Sequence, residues 1–347
     1  MGKTLLSTSV AAIVFAIPTA WAEENDVFKN LQISGLLELE ANFVAPESGE
    51  DESDFRVASA EITLAAPVHE WVKAELVLLY EQDETDFGVD SASVTVAPPE
   101  GPWFMRGGLF VQPFGRFDTN LVSEPLTLEL AETVETALQF GWENNGFSAS
   151  AYVFNGDGNR VGASKIDPSA SSGHRNFGVD IGYAIKSESM ALNLAAGYIH
   201  HIGDSDALQD AIANLVADAV PGGFLSANAS FGPVTLIGEY TAAGDAFQAG
   251  ELDWNGVGAQ PRAWNLEVAY GFTLAGKESH VALGYQGTRE ALALGLPASR
   301  VLAALAVEVM KGTTLAIEGV RDEDYSVTEG GSGESSNSMT VQLALEF

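Results

Sequence analysis

The chain contains no cysteine, and only 16 of its 347 residues are Lys or Arg against 48 Asp and Glu. The first absence excludes disulfide stapling and thiolate metal centres. The second leaves a formal net charge of −32, which excludes nucleic acid as a partner because that binding needs clustered Lys and Arg. Long apolar runs are also missing. Beyond the N-terminus every hydrophobic stretch is broken by Glu, Asn or Gly within a few residues, so no segment reads as a spanning helix. No G-x-S-x-G elbow, H-E-x-x-H pair or Gly-rich phosphate loop occurs. The adjacent His200 and His201 would point to opposite faces of a strand, and Asp204, Asp206 and Asp210 lack EF-hand spacing. The reading is therefore not an enzyme, with no resident metal and no cofactor.

What is present begins with an export signal. Lys3, an apolar run from about Val10 to Ile17, Pro18, and Ala20 and Ala22 flanking Trp21 form a signal peptide over 1–22, leaving 23–347 as the mature chain. An exported chain without spanning helices is either soluble or crosses a membrane with strands, and periodicity decides between these. In 31–43 Ile33, Leu37, Leu39, Ala41 and Phe43 share one face, while Glu38, Glu40 and Asn42 share the other. Comparable segments follow at about 55–66, 70–81, 87–97, 103–111, 132–143, 146–155, 174–185, 189–200, 220–231, 233–242, 261–274, 277–287, 299–310, 312–321 and 337–347. That makes about sixteen strands, an even number as single-chain bacterial barrels require. Short joins alternate with longer links at about 44–54, 82–86, 112–131, 156–173, 201–219, 243–260, 288–298 and 322–336. This parity predicts an all-β transmembrane antiparallel barrel with short periplasmic turns and long extracellular loops, in the bacterial outer membrane. Trp71, Trp103, Trp142, Tyr80, Tyr198, Tyr240 and Tyr285 fall near strand ends, as interfacial girdles would.

With apolar faces turned outward, the candidate pore-lining residues are Glu38, Glu40, Glu61, Lys73, Glu75, Arg106, Asp180, Glu239, Glu267 and Glu318, with Glu81, Glu308 and Glu346 also inside or near the mouths. Alternation places Lys73 and Arg106 there as the few bases, and an excess of carboxylates favours cations. The loop 112–131 departs sharply at Pro113-Phe114-Gly115 and is a candidate constriction. Around it the candidate constriction residues are Arg116, Asp118, Glu124, Glu129 and Glu132. A short helix is expected near 205–217, capped by Asp204 or Ser205, with Leu208, Ile212 and Leu215 on one face. The terminal SMTVQLALEF alternates to the last residue, so it should pair with 31–43 and close the sheet.

The runs HEWVKAELVLLYEQD (69–83), GGLFVQPFGRFDTNLVSEPLTLELAETVETA (107–137), YVFNGD (152–157), IGDSDALQD (202–210) and AWNLEVAYGFTLAGKESHVALGYQGTREALALGLPASR (263–300) resemble the LbtU-type siderophore porins, named for legiobactin uptake. Some members carry a periplasmic, coiled-coil-like extension, whereas here only Glu23 to about Lys29 precedes the first strand. The resemblance implies an outer-membrane barrel that admits a ferric siderophore, and Phe347 resembles the C-terminal signal read by the barrel-assembly machinery. A gated, energy-coupled transporter uses roughly 22 strands and a plug, so uptake here should be diffusive and TonB-independent. The expected function is passive or facilitated uptake of small solutes, with an iron-siderophore complex as leading cargo. A general cation-preferring porin is the rival, and a non-conducting adhesin or structural barrel is the alternative from another class. The expected surroundings are the lipid bilayer, lipopolysaccharide and the assembly machinery, with the chain as a homotrimer or a monomer.

Overall fold

In a computed structural model, residues 30–156, 175–212 and 216–347 are described. The expected signal peptide at 1–22 and most of the link 156–173 lie outside the described residues. Sixteen antiparallel strands close into one barrel. They are β1 (Gln32–Pro46), β2 (Glu52–His69), β3 (Val72–Glu81), β4 (Thr85–Val96), β5 (Trp103–Val111), β6 (Val134–Asn144), β7 (Phe147–Asn155) and β8 (Arg175–Lys186). The second half comprises β9 (Met190–Ile199), β10 (Gly222–Phe231), β11 (Val234–Ala243), β12 (Arg262–Leu274), β13 (Lys277–Arg289), β14 (Ser299–Met310), β15 (Thr313–Glu323) and β16 (Ser335–Glu346). Each strand pairs with its chain neighbours, and β1 pairs with β16 from Leu36 opposite Glu346 to Pro46 opposite Ser336. The barrel sheet is thereby closed on itself and leaves none of its own edges to lipid, as a bilayer demands.

The apolar faces are on the outside. Ile62, Val94, Phe140, Val179, Ile181, Leu225, Leu266, Leu283, Val301 and Ile317 are all exposed, forming a belt that only a hydrocarbon environment covers. At its periplasmic edge Trp71 and Trp103 meet edge to face at 6.2 Å, and Trp142 lies 5.9 Å from Phe147. The closed barrel with this belt is an outer-membrane β-barrel.

The expected alternation of links holds with one exception. Only residues 82–84 join β3 to β4 on the external side, fewer than the periplasmic 97–102. Two bulges bear on the lumen. Leu39 pairs with Val57 but Glu38 with Ser59, and Val77 pairs with Ser91 but Leu78 with Val89. Each extra residue flips the parity of its strand, placing Arg56 and Glu61 of β2 on the same face despite their odd separation.

A second difference concerns the interior. Phe110, Tyr152, Phe154, Ile199 and Phe224, from the external ends of β5 to β10, point inward and are buried. They pack on two short helices, α1 (Leu126–Ala131) and α2 (Asp206–Ala211). The external half of the barrel on this side is therefore an apolar core. Helix α2 is shorter than the expected 205–217. Ser205 sits at its N-cap position but donates to the Leu130 carbonyl oxygen (2.9 Å) instead of capping it. Leu208 and Ile212 share its buried face, and Leu215 lies outside the described residues.

Candidate functional site: the in-folded third loop

The third external loop leaves β5 at Val111 and turns at Gly115, whose φ of +135° suits glycine. The Phe117 ring folds back over this residue, so a Cβ on Gly115 would lie 2.1 Å from its Cζ. The chain then runs inside the barrel. An irregular segment brings backbone N–H groups that no strand partner satisfies, and inward-facing carboxylates accept them.

Glu239 on β11 accepts from the Arg116 N–H at 2.8 Å and from the Phe117 N–H at 3.3 Å. Glu267 on β12 accepts from the Asn120 N–H at 2.8 Å, the Asn120 side-chain amide at 2.6 Å and the Thr119 hydroxyl at 2.8 Å. Glu318 on β15 accepts from the Val122 and Ser123 N–H groups at 2.8 and 2.9 Å and from the Ser123 hydroxyl at 2.5 Å. Gln286 on β13 accepts the Leu126 N–H at 3.1 Å, and Asn228 on β10 donates to Asp118 at 2.9 Å. Arg116 forms an ion pair with Asp180 on β8. The loop is thus a strap laid along the β8–β15 wall. Glu239, Glu267 and Glu318 are buried under it, Glu318 completely.

The opposite wall has a different texture. Glu61, Glu75 and Arg106 are half-buried, and the Lys73 ammonium, more exposed, lies 2.8 Å from Glu75. Arg106 is 3.8 Å from Glu75, donates to the Ser93 hydroxyl at 3.1 Å, and stacks on Phe110 at 4.2 Å. Asp90, at the β4 bulge, joins Glu38 and Glu75 within electrostatic range of Glu61. Glu38 and Glu40 are buried, with Glu40 bonded by Arg56 (3.2 Å) and Gln342 (2.9 Å). Arg56 also reaches Glu84 at 2.6 Å.

The remaining loop residues divide. Glu124 and Glu129 are half-buried, and Glu132 is buried where the strap meets α2. Burial, then the neighbouring Asp206, Glu124 and Asp90 charges, push the Glu132 carboxyl up to about 9. Burial also raises Asp206 to about 6, partly opposed by the Val134 N–H that it accepts. Asp206 donates its own backbone N–H to the Glu132 carbonyl at 2.9 Å, tying the two loops together.

Sequence reasoning missed two lumenal bases, Arg56 and Arg300, and one acid, Asp90. Arg300 is legible by alternation, since Val301 and Ala303 face out; it forms a two-pronged pair with Asp322 at 2.8 and 2.9 Å. Arg56 and Asp90 are hidden by the bulges, although the slip from Phe87 and Val89 to Ala92 and Val94 signals the second. Arg116 is a candidate constriction residue by sequence, but nothing local marks Asp180 on β8 as its partner. At the chain's other end Phe347 continues the ladder: Gly35 N–H donates to its carbonyl (2.9 Å) and its own N–H donates to Gly35 O (3.1 Å).

No family model matches the chain. It is similar to the UPF0422 proteins of Legionella pneumophila strain Lens (24% identical, covering 91% of this chain and 66% of that one) and of Coxiella burnetii strain RSA 493 (26% identical, 90% and 71%). The chain thus spans 66% of the length of the Legionella relative. Among solved structures it is similar to OprB of Pseudomonas putida (TM-score 0.65, 10% identical, 92% of this chain and 95% of that one). It is also similar to the outer membrane channel DcaP of Acinetobacter baumannii (0.61, 12%, 91% and 97%) and to the anion-selective porin from Comamonas acidovorans (0.60, 13%, 91% and 99%). At these identities the likeness is one of fold, and the fold is that of the porins.

Proposed function

We infer that the protein is a passive, TonB-independent diffusion channel for small solutes, and that its pathway runs between the in-folded strap and the β1–β5 wall. One observation carries this reading. The strap uses the carboxylates of its own wall as anchors, while Glu61, Glu75 and Asp90 opposite stay partly exposed. Arg116, Asp118, Glu124 and Glu129 then form the strap side of the constriction, and the facing acids give it a cation preference. Lys73 and Arg106 offset Glu75 locally, leaving Glu61 and Asp90 as the carboxylates that set the preference.

The iron-siderophore cargo follows from the resemblance to the siderophore porins, and the acidic wall limits its chemistry. A neutral or cationic ferric chelate passes such a wall at lower electrostatic cost than a polycarboxylate. Planar-bilayer reversal potentials in a salt gradient, run with ferric-siderophore uptake by a deletion strain, test both parts. Cation preference is expected; anion preference, or uptake abolished by loss of a TonB homologue, would overturn the reading.

A further inference from the structure

Two features of the outer wall, each unusual alone, adjoin one another. The first is a basic pair. Arg262 on β12 lies directly opposite Arg289 on β13, both at the external end of the lipid-facing parity. Like charges directly opposed across strands are destabilising, and among the described residues neither guanidinium has an ion-pair partner. Glu290, the residue after Arg289, accepts the Gln260 N–H at 2.7 Å. In a chain of net charge −32 two neighbouring bases facing outward need a reason.

The second is a groove. Across β7 to β12 one transverse row reads Phe147, Tyr183, Leu194, Ala227, Gly238 and Leu266, and the adjoining row reads Ile181, Ala196, Leu225, Tyr240 and Trp264. The small residues Ala196, Ala227 and Gly238 lie between large ones, and the hollow they leave is an apolar cavity of about 680 Å³. Five interstrand steps make it about 24 Å long. It runs from Phe147 at the periplasmic edge of the belt to Trp264 near the external edge, and because a single leaflet's acyl layer is about 15 Å deep, a chain entering from outside fills the part nearest Trp264.

The groove ends at Trp264, and Arg262 is the next outward residue of the same strand, about 7 Å nearer the exterior. The Trp264 indole lies over Gly287, where a Cβ would come within 2.3 Å of its Cζ2. This places the ring under Arg289, between the basic pair and the hollow.

We propose that this surface is a specific site for a phosphate-bearing acyl lipid of the outer leaflet, its phosphate bridging Arg262 and Arg289 and one acyl chain lying in the groove. The anion relieves the repulsion between the two guanidinium groups, and arginine presents donors in a geometry that suits phosphate. The chain fills a hollow that bulk lipid would fill less well.

Native mass spectrometry of the full barrel refolded in a non-ionic detergent tests this. The probes are a bis-phosphorylated acyl-glucosamine disaccharide lipid, the same lipid without phosphates, and inorganic phosphate. Wild-type protein is expected to hold the phosphorylated lipid at least about tenfold more tightly, the scale of one charge-assisted hydrogen bond. The double change Arg262→Gln with Arg289→Gln should erase that difference, and the Lys pair should restore part of it. Gly238→Leu should weaken both lipids by filling the groove. Arg321→Gln is the control, because Arg321 already lies 3.6 Å from Glu323. Folding of each variant is verified by heat-modifiable gel mobility. Equal affinity of wild type for the two lipids, unchanged affinity in the Gln pair, or competition by inorganic phosphate at equal concentration would overturn the proposal. So would a lipid-free oligomer with Gly238 buried between copies.

Discussion

Replacing Glu318 by Gln should free one stretch of the strap without unfolding the barrel. Glu318 is fully buried and accepts three hydrogen bonds, from the Val122 N–H, the Ser123 N–H and the Ser123 hydroxyl. Hydrogen bonds to charged groups contribute about 1.5–3 kcal/mol each, net of water. Glutamine with its amide oxygen in the Oε1 place keeps both Ser123 bonds, though without the charge, and turns an NH₂ toward the Val122 N–H, so one bond is lost and two are weakened. Lumenal water satisfies part of what is released, leaving about 3 kcal/mol for local opening. That corresponds to a roughly 150-fold rise in the opened population. The anchors on Glu239 and Glu267 and the packing of α1 remain, so the opening is confined to residues near 122–123. Amide hydrogen exchange reads this directly: protection at Val122 and Ser123 should fall by about that factor, while the Arg116 and Phe117 amides keep theirs. Unchanged exchange at Val122 and Ser123 in a folded Glu318→Gln barrel would refute the latch, as would equal loss at all four amides.

Four further outcomes are expected. Glu61→Gln combined with Asp90→Asn should lower the cation-to-anion permeability ratio measured from reversal potentials, with strap amide exchange unaltered. The junction of the strap with α2 should loosen as pH rises. Glu132 is shifted up to about 9 from a usual 4.5, so between those values the native state holds a proton that the unfolded state has lost, and stability falls with pH across that window. Asp206, raised to about 6, adds a smaller loss in the same direction below that pH. Glu132→Gln should flatten most of the slope in a thermal-unfolding series; an unaltered slope would locate the dependence elsewhere. Gly35→Val should reduce the yield of closed barrel, because its Cβ would lie 2.5 Å from the Phe347 ring and 2.9 Å from the Glu61 carbonyl, a backbone atom with little room to move. Deleting Phe347 should lower assembled protein without changing the conductance of inserted molecules, measured by gel mobility and bilayer recording.

The strands were legible because a barrel wall meets two solvents at once, and period-two alternation carries that boundary in every strand. In β12, Trp264, Leu266, Val268 and Tyr270 face lipid while Asn265 and Glu267 face inward, and no tertiary knowledge is needed to see it. The same alternation fails where both faces are apolar. On β7 Tyr152 and Phe154 turn inward beside the outward Val153, and they are buried in one cluster with α1 and the strap. Glu239, Glu267 and Glu318 could be placed inside from sequence, but their partners lie more than 100 residues away in the strap. The local signal was the strap itself: residues 112–125 carry two prolines and no strand pattern, so their N–H groups had to find acceptors somewhere.

That requirement explains why an acidic lumen need not be uniformly acidic to a passing solute. A carboxylate that accepts two backbone N–H groups has its charge partly met by fixed dipoles, and one beneath a loop is also screened from the pathway by distance. The −32 of the sequence therefore overstates the field along the pore. On one wall the acids fix a loop in place, and on the other Glu61 and Asp90 are left to meet the solute. If this division holds, removing an anchor should alter the width of the pathway more than its selectivity, and removing a free acid should do the reverse. A Glu318→Gln channel with raised conductance and unchanged reversal potential, set beside a Glu61→Gln channel with the opposite pair of changes, is the expected result. Identical changes in both would mean that the two walls are electrically one.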